Sequence, residues 1–181
     1  MKKIIVILSL IFVSFVSFAK SDILFYQDGI YVQSIVDEDG VEVQINGRDL
    51  GEGTTRIVKY DGNIDYFRVK MQKYRDKFVE YNKIAKDNNV DKVCKEFKTD
   101  FERIYSDIWG WQLGSVNVKY VKDGDESYIE YKVTENYGSN MWNGIVLKFT
   151  SVEMFDKFLK VLDYEKIKGD NDYKKYENLF N

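Results

Sequence analysis

Residues 63–108 read NIDYFRVKMQKYRDKFVEYNKIAKDNNVDKVCKEFKTDFERIYSDI, and the fold turns on how this stretch divides. Ile64, Phe67, Met71, Tyr74, Phe78, Tyr81 and Ala85 recur at alternating steps of three and four. That spacing sets one apolar stripe on a helix from about Asn63 to Lys86. Asn88-Asn89 reads as a break. Beyond it Val90, Cys94, Phe97, Phe101, Ile104 and Ile108 keep the same rhythm, which predicts a second helix over 90–108. The short connection predicts an antiparallel helical hairpin. A parallel coiled-coil homodimer on the first stripe would bring Lys70 close to Arg75, so burial within the same domain is the better expectation.

On both sides of this stretch the pattern changes to period two. Asp28-Gly29 is a hairpin signal between Ile23–Tyr26 and Ile30–Val36. Val41, Val43 and Ile45 alternate with Glu42, Gln44 and Asn46, and Arg56–Tyr60 adds a short strand. After the helical stretch, Val116, Val118 and Tyr120 share one strand face, and Ile129, Tyr131 and Val133 share another. Ile145–Phe149 reads as a central strand. Thr150 followed by Glu153 has the form of a capping box, opening a helix with Val152, Phe155, Phe158, Leu159 and Leu162 inward. Tyr173, Tyr176 and Phe180 suggest a last short helix. The fold class expected is α+β: an antiparallel sheet in two groups of strands, a helical hairpin inserted between them, and a C-terminal helix. The helices should pack mainly on one face.

Residues 1–19 have the form of a signal peptide. Lys2 and Lys3 precede an apolar run from Ile4 to Phe18, and Ser17-Phe18-Ala19 offers small residues for cleavage after Ala19. The run of 15 residues falls short of the roughly 20 that cross a bilayer as a helix. Residues 20–181 are then expected to form a single α+β domain, soluble and periplasmic or extracellular. The compact dilysine leader is of bacterial kind.

Composition narrows the chemistry. The chain contains no histidine, which excludes Ser-His and Cys-His pairs and His-dependent zinc sites within it. Cys94 is the only cysteine, so no disulfide forms within the chain, and on the predicted helix it reads as a small core residue. A net charge of −3, more negative without Lys2 and Lys3, speaks against nucleic acid and against an anionic membrane surface. The turns at Asp37, Asp123 and Asp170 fail the calcium-loop pattern: from Asp37 the sixth position is Glu42, and from Asp123 the twelfth is Thr134. No metal or cofactor is expected.

Aromatic residues make up 16% of the chain, enough to supply both a core and a surface. Trp109-Gly110-Trp111 follows the predicted second helix, and Tyr137 and Trp142 lie in the segment 136–144 between two strands. Rings on connecting segments beside Gln112, Asn140 and Asn143 suit stacking on a sugar or gripping a peptide. The plainer role is capping the core. The candidate ligand-binding residues are therefore Trp109, Trp111, Tyr137 and Trp142. Helix 64–86 carries seven basic residues against three acidic, either a dock for an acidic partner or a solvated face balanced by the acidic strand block. The function expected is that of an exported, non-catalytic binding or accessory protein of the bacterial envelope, contacting a protein or glycan. The alternatives are an inhibitor of a secreted hydrolase and a carboxylate-dependent hydrolase, the acid–base chemistry open to a chain without histidine.

Overall fold

Two tight turns start the sheet. β1 (Lys20–Gln27) and β2 (Ile30–Asp37) are joined at Asp28 and Gly29, with φ of 50° and 79°. Positive φ at both central residues lets a two-residue turn follow the right-handed twist of the strands. β2 pairs with β3 (Gly40–Asn46), where Val41, Val43 and Ile45 are buried as their alternation predicts. The computed structural model describes residues 20–37, 40–51, 53–97, 100–135 and 144–169, so the leader, Tyr137, Trp142 and the expected helix at 173–180 lie outside the described residues.

After β3 come β4 (Arg48–Asp49) and β5 (Thr55–Tyr60), then α1 (Asp61–Asp87). Four strands follow: β6 (Lys92–Glu96), β7 (Asp100–Ser106), β8 (Gly110–Asp123) and β9 (Glu126–Glu135). β10 (Gly144–Phe149) and α2 (Val152–Val161) complete the order, with a further helical turn at 164–169. The strands form one ten-stranded antiparallel sheet in the order β1-β2-β3-β5-β7-β8-β9-β10-β4, with β6 also on β8. The sheet curls into a half-barrel. β10 reaches β4, which continues the chain of β3 through Gly47. A Cβ at Gly47 would lie 2.3 Å from the Val146 carbonyl oxygen and 2.6 Å from Leu147 Cδ2, so only glycine permits that approach.

Both helices cover the same face. Phe67 of α1 meets Tyr131 edge-on at 6.0 Å, and Phe78 meets Tyr120 at 6.3 Å. From α2, Phe155 stacks on Phe149 at 4.2 Å and Phe158 meets Phe25 at 5.8 Å. The stripe expected on residues 64–85 is this contact: Ile64, Phe67, Met71, Phe78 and Ala85 are buried, with Tyr74 and Tyr81 packed beside them. Burial on the chain's own sheet replaces any need for a coiled-coil partner.

The described residues between 90 and 108 form no second helix, so the expected helical hairpin is not made. They form β6 and β7, and β7, paired with both β5 and β8, merges the two expected strand groups into one sheet. β8 is 14 residues long, and β7 pairs with Gly110–Val116 while β6 pairs with Lys119–Asp123. That demand for partners outweighs the local helical rhythm. The rhythm itself mixed two strand faces: Ile104 is fully buried under the helices, whereas Phe101 and Ile108 are exposed. Cys94 is likewise exposed on β6 and is not a core residue. Two boundaries also shift. Ser151, not Thr150, caps α2, its Oγ accepting from the Met154 N–H at 3.1 Å. β8 starts at Gly110, which puts Trp111 inside a strand.

Candidate functional site

On β5, β7 and β8 alternate residues point away from the helices. β7 contributes Phe101, Arg103 and Tyr105 to this open face, and Glu102, Ile104 and Ser106 to the covered one. The register sets Arg56 of β5 beside Tyr105, Tyr105 beside Trp111 of β8, and Arg103 beside Leu113. A continuous layer of rings and guanidiniums results. The Arg103 guanidinium carbon lies 4.5 Å from the centre of the Trp111 ring, and that of Arg56 lies 4.9 Å from Tyr105. Tyr105 meets Trp111 edge-on at 5.3 Å, and Tyr60 stands 6.0 Å from Trp111.

The layer is open to solvent. Tyr60 is 42% exposed, Trp111 40%, Leu113 56% and Phe101 58%. Trp109 is 54% exposed at the β7–β8 turn, where Ser106 Oγ accepts from the N–H of both Ile108 and Trp109. Gly110 completes the turn at φ 70°. Arg56 is held by Asp107 at 2.6 Å. Arg103 has no carboxylate partner among the described residues. Its charge is left facing solvent over an indole ring.

Of the four residues singled out by sequence, Trp111 lies in this layer and Trp109 is exposed at the adjoining β7–β8 turn. Tyr137 and Trp142 lie outside the described residues. Gln112 does not join the rings, because strand alternation turns it to the covered face opposite Ile104. Tyr60, Phe101, Arg103, Tyr105 and Leu113 were missed. The signal that marks them is the alternation Phe101, Arg103, Tyr105 against Glu102, Ile104, Ser106, visible only once 100–106 is read as a strand.

A second polar cluster sits beneath the first, under α1. The Glu102 carboxylate is buried and pairs closely with Lys59. It also accepts from the Tyr131 hydroxyl at 3.0 Å and from Lys70 Nζ at 3.4 Å. Lys70 reaches Asp100 at 2.8 Å, so two cations meet two carboxylates. Burial pushes the Tyr131 phenol well above its ordinary range, and the charge of Glu102 adds to the push. Burial pulls Lys70 down, but its bond to Asp100 and the charge of Glu102 outweigh that and leave it raised. Both shifts hold the groups in their ordinary protonation states. The cluster is a satisfied ion network joining α1 to β5, β7 and β9.

The basic face of α1 is answered in the same way, and among the described residues its ion pairs do not reach the first strand block. Lys70 pairs with β7, Arg75 with Asp156 of α2 at 3.0 Å, and Arg68 with Asp163 at 3.7 Å. No protein-family model, curated protein or solved structure matches this chain.

Proposed function

We propose that the chain is an exported, non-catalytic accessory protein of the bacterial envelope that docks a protein partner through the open face of β5, β7 and β8. The single observation behind this reading is the exposed layer of Tyr60, Tyr105 and Trp111 interleaved with Arg56 and Arg103. Tyr, Trp and Arg are the residues that dominate binding energy at protein interfaces. Phe101 and Leu113 on the same face, and Trp109 at the β7–β8 turn, add exposed apolar area beside the layer, a feature that marks interaction surfaces. A protein suits it better than a glycan. Sugars stack on free ring faces, and here Arg103 covers a face of Trp111 while Arg56 covers one of Tyr105. Arg103, without a carboxylate partner among the described residues, favours a partner with a carboxylate set among apolar groups.

Capture from an envelope extract tests this, using the full chain beside its Arg103→Glu and Trp111→Ala variants. The expected result is one protein retained by the wild-type chain and lost by both variants. Retention of the same protein by both variants would remove the patch from the account. Binding to purified cell-wall polysaccharide that is lost in Trp111→Ala, with no protein captured, would replace the protein reading with a glycan one.

A further inference from the structure

Among the described residues, β6 lies at an edge of the sheet. β5 pairs with β7 only from Thr55 to Ile57, opposite Ile104–Ser106, and does not extend to β6. Among the described residues β6 therefore has β8 on one side and no strand on the other. The direction of its backbone groups follows from the register. The Phe97 N–H donates to Val118 O and the Gly124 N–H donates to Asp91 O, both at 2.8 Å. In an antiparallel ladder alternate residues exchange bonds with the neighbour. Val93 and Lys95 therefore turn their N–H and C=O groups toward β8, and Lys92, Cys94 and Glu96 turn theirs outward.

We propose that a second copy of this chain occupies this edge, β6 pairing antiparallel with itself about a two-fold axis at Cys94. The sequence Lys92-Val93-Cys94-Lys95-Glu96 is self-complementary in that register. Each Lys92, which reaches Asp123 of its own chain at 3.5 Å, stands opposite the other copy's Glu96, on the face that also carries Cys94, so two opposite-charge pairs flank the axis. A register centred on Lys95 would set that lysine against itself, and one centred on Val93 would leave Glu96 without its lysine. The charges thus select one alignment while guarding the edge against others. A groove of about 210 Å³ runs beside β6 on the helix-covered side, lined by Tyr81, Ile84, Val90, Val93 and the chain's own Lys95. In the proposed pair the second copy's Lys95 stands opposite Val93 and lays its aliphatic stem over this groove. The pair is isologous and closes on itself.

Directly bonded antiparallel residues have Cα atoms about 5.5 Å apart, within the roughly 4.4–6.8 Å that a disulfide spans. Cys94 therefore reports the contact. The full chain is treated with diamide, an azo oxidant, and run without reductant. Two Sγ–H bonds break and one Sγ–Sγ bond forms, and diamide takes up the two electrons and two protons as its hydrazine. The expected product is a covalent dimer, absent in Cys94→Ser. Its yield at limiting oxidant falls roughly tenfold in Lys92→Glu and in Glu96→Lys, and returns to within about twofold of wild type when the two are combined. All three positions are exposed, so the variants fold, and sedimentation velocity of reduced protein gives the same ranking. A monomer that fails to cross-link would leave the lysines as edge guards only and overturn the proposal. So would cross-linking indifferent to the charge reversals, or a double variant no better than the singles.

Discussion

Glu102 shows how one residue can organise two faces. Its side chain enters the covered interior because β7 alternates, and its two neighbours Phe101 and Arg103 are thereby sent to the open face. The carboxylate is tolerable there only because Lys59, Lys70 and Tyr131 all point at it. Removing one donor should leave a buried acceptor partly unsatisfied. Tyr131→Phe should lower the unfolding free energy by about 1–3 kcal/mol in urea. Lys59→Met should cost about 3 kcal/mol, since it strips the closest cation from a buried carboxylate. The pH dependence follows from Lys70 and Asp100. The hydrogen bond from Lys70, then that from the Phe101 N–H, holds Asp100 below its ordinary 3.8. A depressed folded-state value means the contribution is complete above pH 3.8 and is lost as pH falls through the lower folded value. Lys70 is shifted the other way, above 10.5, so its contribution holds below that pH and fades as pH rises past it. Asp100→Asn should weaken both limbs of a stability–pH curve while leaving its neutral plateau flat.

At the scale of elements, two glycines separate space from conformation. Gly47→Ala should cost about 1–3 kcal/mol, because the new methyl would strike the backbone of β10 where the half-barrel meets β4. Gly62→Ala, in the first turn of α1 with nothing within 4 Å, should instead stabilise by about 0.5–1 kcal/mol. Thermal melts of the two variants should shift in opposite directions. Elements with a single strong period were legible in the sequence. α1 runs 61–87 against an expected 63–86, and the hairpin at Asp28-Gly29 and the strands around Val43 and Ile129 stand where alternation put them. Residues 90–108 were not legible. Their large apolar groups serve opposite faces, with Ile104 in the core and Phe101 on the surface, while the core-facing place at 102 is held by a carboxylate. A reading that sends every apolar residue inward must fit such a segment with a helix. The site suffered for the same reason. Trp109 and Trp111 were visible as a pair, but Tyr60, Arg103 and Tyr105 join them only through strand register.

For the whole molecule, the sheet has one face committed to the core and one carrying the aromatic–arginine layer. This division makes folding and binding separable. Phe101 and Arg103 project from the open face, so Phe101→Ser should change stability by no more than about 0.5 kcal/mol and Arg103→Glu, which loses its contact with Trp111, by no more than about 1 kcal/mol. The proposed partner should bind more weakly as salt rises, through the charge of Arg103. The most direct measurement is the dissociation constant of the captured envelope protein for wild-type and Arg103→Glu chains, taken alongside their melting temperatures. The account predicts affinity weakened by roughly thirtyfold or more, with the melting temperature moved by no more than about 4 °C. Equal affinities for the two chains would contradict it.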